Sequence, residues 1–261
     1  MLLNKEFFIR SIVTIIFGPL LLFLPFSGIE FYTGFTILIA TVGAWEIWIM
    51  SKKISPLKAL IIPGVIIFAS YYSGFISSFI ISILLLLILF TMETFQNNEK
   101  FLQSIGTIML ITVYTGYFII FQIEILREFS PEYIILIFLT IWATDIFAYI
   151  GGSTYGRHKL CPTVSPKKSV EGALTGLIMG CSVGSIYAVY MGLFSIKESV
   201  IITAVVSSAG QLGDLFESKI KRMYNIKDSS KLIPGHGGVL DRFDSFIFAT
   251  PFMYICVKLW L

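Results

Sequence analysis

Gly213-Asp214-Leu215-Phe216-Glu217-Ser218-Lys219-Ile220-Lys221-Arg222, continued by Pro234-Gly235-His236-Gly237-Gly238-Val239-Leu240-Asp241-Arg242-Phe243-Asp244, is a polar island near the end of an oily 261-residue chain. The contrast decides the fold class. A soluble chain carries about a quarter charged residues, whereas this one has 13% charged and 56% hydrophobic residues, which excludes an ordinary soluble domain. The expectation is an all-α integral membrane protein. No polar break is long enough for a separate soluble domain, so residues 1–261 read as one polytopic domain, with hydrophobic helices over 1–130 and the polar residues gathered on the helices and loops of 131–261.

Working outward from the island, apolar runs near the 20 residues that cross a roughly 30 Å bilayer core cover 8–25, 31–50, 57–71, 75–92, 105–125, 133–152, 172–194, 200–220 and 243–261. This predicts about nine membrane helices. Only Tyr72-Ser73-Gly74 separates the third run from the fourth, which predicts a tight hairpin. The first run lacks a small-residue cleavage site and reads as a retained span. Basic residues test the segmentation, because Lys and Arg concentrate in cytoplasmic loops. Lys5, Arg10, Lys52, Lys53, Lys58, Lys100, Arg157, Lys159, Lys167, Lys168, Lys219, Lys221, Arg222, Lys227, Lys231 and Arg242 fall in alternate breaks, against Arg127, Lys197 and Lys258 in the others. The asymmetry predicts a cytoplasmic N-terminus, with the island and the 151–169 loop on the cytoplasmic side. Cys161, Cys181 and Cys256 lie far apart without metal-ligand spacing and read as reduced thiols.

An ionisable residue inside a membrane helix is costly and is read first as functional. Glu46, between Trp45 and Trp48, reads mainly as part of an interfacial aromatic belt. Asp145, just before Gly151-Gly152, reads as a buried, pocket-lining carboxylate. In the following loop, Lys167 and Lys168 suit phosphate binding, while Ser169 and Glu171 suit an N-cap and a first helical turn. Gln211, Asp214, Ser218, Lys221 and Arg222 fall on one helical stripe. Asp241 and Asp244 open the last run on one face. Converging carboxylates repel unless a cation lies between them, and hard oxygen donors suit Mg²⁺. Gly235, His236, Gly237 and Gly238 have the composition of a loop that brings backbone N–H groups to an anion. The pattern lacks the spacing of a P-loop or dinucleotide fingerprint.

Ser218-x-x-Lys221-Arg222, Lys227-Asp228 and Pro234-Gly235-His236-Gly237-Gly238-x-x-Asp241-Arg242-Phe243-Asp244 together resemble the signature of the phosphatidate cytidylyltransferases, or CDP-diacylglycerol synthases. Asp145 with Ala148-Tyr149, the 151–159 loop and Ser165-Pro166-Lys167-Lys168-Ser169-Val170-Glu171-Gly172 are similar to the family's other common stretches. The N-terminal half matches only in being hydrophobic. The resemblance implies a nucleotidyltransferase of phospholipid biosynthesis that joins CTP to phosphatidate, giving CDP-diacylglycerol and pyrophosphate. It implies Mg²⁺ as cofactor and leaves room for an assisting K⁺. Asp214 and Asp241 would be metal ligands, with Asp244 a third ligand or a partner to one. Lys221, Arg222, Lys227 and Arg242 would neutralise phosphates, Gly235 to Gly238 would cradle the triphosphate, and Ser218 would bind phosphate or water. The partners would be CTP and phosphatidate in the bilayer of a bacterial cytoplasmic membrane, with no nucleic acid; a homodimer through apolar spans is compatible with the composition. Two other classes share features with the island: a polyprenyl-phosphate glycosyl-1-phosphate transferase and an anion transporter.

Overall fold

The structure is a computed structural model that describes residues 15–96, 99–233, 235 and 237–260. The elements are α1 (Ile15–Ser27), α2 (Ile29–Ser51), α3 (Pro56–Thr94), α4 (Phe101–Glu128) and α5 (Pro131–Tyr155), then the strands β1 (Lys159–Cys161) and β2 (Ser165–Ser169), and finally α6 (Val170–Tyr190), α7 (Ile196–Met223) and α8 (Leu240–Trp260). Seven of these, α2 to α8, are long and apolar enough to cross a membrane. The protein is therefore a helical membrane protein, as its composition demands.

Seven among the described residues is two fewer than the nine apolar runs. The third and fourth runs both lie in α3, which is interrupted at Gly74 (φ 78°, ψ 179°). Lys58, in the first turn of α3, nevertheless forms an ion pair with Glu93 near its far end. In an unbroken helix, residues 35 apart would be separated by about 50 Å. The chain must therefore double back at Gly74, whose positive φ an L side chain rarely adopts. This is the hairpin that Tyr72-Ser73-Gly74 predicts. The other difference is the first run, of which residues 8–14 lie outside the described residues and α1 is the remainder.

The chain divides into two compact units, 1–127 with 228–242 and 128–227 with 243–261. The glycine-rich segment goes with the N-terminal helices.

In the N-terminal unit, α2 ends in a left-handed Lys52, whose N–H donates to Trp48 O (2.7 Å), and the Trp48 indole N–H donates to Ile54 O (2.9 Å). Ser55 and Pro56 then start α3, as an N-cap and a helix-compatible first residue. Arg127 closes the far end of the α3 hairpin by donating to Glu124 Oε1 (2.6 Å) and to the carbonyls of Ser70 (3.0 Å) and Tyr71 (2.8 Å). Within α4, residues Ile111–Tyr117 wind as a π-helix. Gly116 lies there, where an added Cβ would come 3.0 Å from the Ile66 side chain.

In the C-terminal unit, the glycines of α6 set the packing. Gly172, Gly176, Gly180 and Gly184 recur every fourth residue and are all buried. A Cβ at Gly172 would meet Ala148 O at 2.7 Å, one at Gly176 would meet Thr144 O at 2.6 Å, and one at Gly180 would meet Thr140 O at 2.9 Å. Helices α5 and α6 thus touch along their backbones, the approach that small residues permit between membrane helices. α7 starts with a capping box of Ser195 and Glu198. α8 stacks Phe246 on Phe138 of α5, with ring centroids 4.1 Å apart. The all-α reading lacks one feature, the antiparallel β1–β2 hairpin that pairs Lys159 with Ser169 and Cys161 with Ser165. Its strands are too short and polar to produce an alternating hydrophobic signal.

Candidate functional site

A cavity of about 420 Å³ opens in the C-terminal unit between α5, the β-hairpin, α6 and α7. α5 supplies Asp145, Tyr149 and Ser153, β2 supplies Lys167 and Lys168, and α7 supplies Gln211 and Asp214. Lys168 Nζ forms an ion pair with Asp214 Oδ2, and Ser218 Oγ donates to Asp214 Oδ1 at 3.3 Å, so both oxygens of this carboxylate are engaged. The ion pair is partly open, with the two side chains 30% and 31% exposed. Gln211 donates to Ala173 O (3.3 Å) and ties α7 to α6. Asp145 lines the cavity, but it is exposed and not buried, because the cavity it faces has room for solvent.

The hairpin that carries the two lysines is braced from both ends. Glu171 accepts from the N–H groups of Arg157 (3.0 Å) and His158 (3.2 Å) and from the His158 ring. Arg222 donates to Val164 O in the hairpin turn (3.2 Å) and to Ile226 O (2.6 Å). In this structure, Glu171 and Arg222 therefore hold the frame around the lysines. Lys221 is buried in an ion pair with Glu217, whose side chain is also buried. Asp244 is buried. Its Oδ1 accepts from Ser245 N at 2.7 Å, and Asp214, Asp145 and Lys221 are close enough to act on its charge. A Cβ at Gly213 would press on Asp244 O at 2.8 Å, so this glycine lets α7 and α8 close together beside the two acids. Lys227 is exposed.

The rest of the island belongs to the N-terminal unit. Asp241 Oδ2 accepts three hydrogen bonds, from Ser229 N (2.9 Å), Ser229 Oγ (3.0 Å) and Gly238 N (2.7 Å). Gly237 has φ 84°, and a Cβ there would meet Asp241 Oδ2 at 2.6 Å. Gly235 is exposed with φ 75°, and Arg242 is exposed. His236 lies outside the described residues. The N–H of Gly238 is committed to Asp241, so the loop's glycines serve its own folding as well as any ligand.

Glu46 is the residue whose partners the sequence does not show. It is fully buried. Its Oε1 accepts from Ser230 Oγ (2.6 Å) and Val239 N (2.9 Å), and its Oε2 from Ser229 Oγ (3.0 Å) and Leu240 N (2.8 Å). An acid inside an apolar run was a visible signal. Its partners, more than 180 residues away, were not.

The donor chemistry suits a hard cation. Mg²⁺ is commonly held by one or two carboxylates together with substrate phosphates, and Asp145 and Asp214 offer such oxygens on the walls of one cavity. Among the described residues, no group of three or more His, Cys, Asp or Glu side chains could hold a metal by itself, so substrate oxygens would have to complete the shell.

Comparison with known proteins agrees with this chemistry. The model of the Cytidylyltransferase family matches residues 8–260. A phosphatidate cytidylyltransferase of Bacillus subtilis (strain 168) is 36% identical over 241 residues, covering 87% of this chain and 89% of the relative. One of Staphylococcus saprophyticus is 41% identical over 161 residues, 61% of each chain. One of Staphylococcus haemolyticus is 44% identical over 130 residues, 49% of this chain and 50% of the relative. With the family model spanning the helices, the cavity and the glycine-rich segment alike, the chain belongs to the cytidylyltransferase family.

Proposed function

We propose that this protein transfers the cytidylyl group of CTP to phosphatidate, releasing pyrophosphate and forming CDP-diacylglycerol. Family membership over nearly the whole chain supports the reaction class. The observation that carries the site is the cavity lined by Lys167 and Lys168 from β2, Asp145 from α5 and Asp214 from α7, with Lys168 paired to Asp214. In the reaction a phosphate oxygen of phosphatidate attacks the α-phosphorus of CTP, a new P–O bond forms, and the bond to the β-phosphate oxygen breaks with its electron pair leaving on pyrophosphate. The attacking phosphate is already ionised near neutral pH, so no general base is required. Lys167 and Lys168 lower the repulsion between the two anionic substrates, and the braced hairpin keeps them aimed without reorganisation. The β-hairpin frame held by Glu171 and Arg222 is thus part of the binding apparatus.

Asp214, Asp241 and Asp244 are the proposed ligands of Mg²⁺; among the described residues they form no ready-made three-residue site, so substrate phosphates would complete the shell, and Asp145 lines the same cavity as Asp214. When bound, the ion would neutralise phosphate charge and orient the α-phosphate. Lys221, Lys227, Arg242 and the glycine-rich loop are proposed phosphate contacts, with K⁺ as the proposed auxiliary ion and a homodimer as the proposed assembly.

In the bilayer we propose nine crossings, counting α1 and both arms of α3, with the N-terminus and the cavity on the cytoplasmic side of a bacterial inner membrane. The excess of Lys and Arg in alternate breaks, against Arg127, Lys197 and Lys258 in the others, supports this orientation. Incubating purified protein with labelled CTP, phosphatidate and Mg²⁺ tests the reading. Labelled CDP-diacylglycerol with stoichiometric pyrophosphate is the expected result. Release of CMP, or uptake into vesicles without turnover, would refute it.

A further inference from the structure

We infer that Glu46 is a positioning residue for the transfer reaction: its carboxylate holds the two ends of the glycine-rich connection, at Ser229–Ser230 and Val239–Leu240, and sets, through Ser229, the direction of Asp241. The inference rests on the function proposed above.

A carboxylate buried within an apolar helix is costly and is retained only where hydrogen bonds offset the loss of water. Glu46 has four, two on each oxygen. Two of the donors, Val239 N and Leu240 N, belong to the start of α8, where backbone N–H groups have no helical acceptor and the helix dipole favours a negative charge. The other two are the hydroxyls of Ser229 and Ser230. A single side chain of α2 therefore grips both ends of the glycine-rich connection.

Ser229 Oγ lies 3.0 Å from Glu46 Oε2 and 3.0 Å from Asp241 Oδ2. Its one proton is shared between two carboxylates, so Glu46, Ser229 and Asp241 form a continuous line of contacts. Gly238 completes the line, because a Cβ there would fall on Ser229 Oγ and Glu46 Oε1. The neighbours of Glu46 on α2, Ala44 and Ile47, are fully buried apolar residues. Packing alone would be served by another of that kind, since buried charges are often neutral or worse for stability than apolar replacements. What the carboxylate adds is an acceptor for four donors in one defined arrangement.

The test compares the full-length wild type with E46Q, E46D, S229A and S230A. It measures kcat and the KM for CTP and for phosphatidate separately, thermal unfolding, and amide hydrogen exchange over residues 228–242. E46Q places an NH₂ where two donors already point, and E46D is too short to reach both ends of the connection. Both are expected to lower kcat by about 10²-fold, the scale of an ångström of misplacement at a reacting centre. Exchange at Val239 and Leu240 should be faster, while the KM for phosphatidate stays within twofold. S229A should lower kcat by about 10-fold or more, without a change in unfolding temperature of the size that a core cavity would cause. Wild-type kcat with unchanged exchange in E46Q would overturn the inference, as would a lowered unfolding temperature with wild-type kcat. If the Glu46 variants do not fold, S229A decides, and wild-type kcat in S229A would overturn it. A wild type that makes no CDP-diacylglycerol would refute the proposed function instead, and the exchange comparison would still test the hold of Glu46 on the segment.

Discussion

Replacing Lys168 with Met separates two roles that the geometry allows for the Lys168–Asp214 pair. If the pair is only a strut, its worth follows from its exposure. With both side chains about 30% exposed, water screens the attraction, and such a pair contributes about 0–1 kcal/mol. K168M would then lower the unfolding temperature slightly and leave turnover near wild type, since Met retains most of the aliphatic stem. If Lys168 meets phosphate charge as it develops, its removal should cost what removal of one preorganised donor costs elsewhere, about 10²–10³-fold in kcat, or roughly 2.7–4 kcal/mol. The second effect exceeds the first several-fold, so one variant discriminates between them. The assay is CDP-diacylglycerol formation in mixed micelles at saturating CTP and phosphatidate, with thermal unfolding measured on the same preparation. A kcat within threefold of wild type, whatever the stability, would refute the assignment of Lys168 to phosphate.

Other outcomes follow from the same geometry. D214N should abolish CTP-dependent turnover in a folded protein, and near-wild-type activity would remove Asp214 from the metal set. D241N is more discriminating: an amide oxygen can still accept from Ser229 and Gly238, so an inactive D241N with normal amide protection would show that the charge is needed beyond the loop, whereas an active one would make Asp241 a loop anchor only. A chelator should stop the reaction and added Mg²⁺ should restore it; turnover without any divalent ion would make the acids structural. Finally, G176V would drive a branched side chain into Thr144 O and Ala148, and overpacking of this kind costs about 1–3 kcal/mol. An unfolding temperature equal to wild type in detergent would refute the close α5–α6 contact.

Much of this protein was legible because membrane helices are written locally. Runs of apolar residues, the Ser169 helix start, and Gly74 at the α3 reversal all act over a few residues, and the runs from 31 to 260 coincide with the helices to within a few positions. The stripe of Asp214 and Ser218 was legible for the same reason, since one helix turn carries both. The glycine repeat from Gly172 to Gly184 was equally local and reads in retrospect as a close helix contact.

Residue types and spacing along the chain determined by themselves that the protein is a helical membrane protein with a polar, phosphate-suited island, because hydropathy, helical periodicity and short motifs are properties of neighbouring residues. The partners of the charged groups were decided only by tertiary structure. Arg222 spends its donors on Val164 and Ile226, Lys221 pairs with Glu217, Lys168 reaches Asp214 from a strand 46 residues earlier, and Glu46 holds a loop more than 180 residues further on. A buried or half-buried charge must be satisfied, but any donor or acceptor brought close by folding can satisfy it, and the linear sequence does not encode which one that is. For the polar island this means that its glycines and acids are shaped as much by one another, and by Glu46 from the N-terminal helices, as by the anions they are proposed to bind.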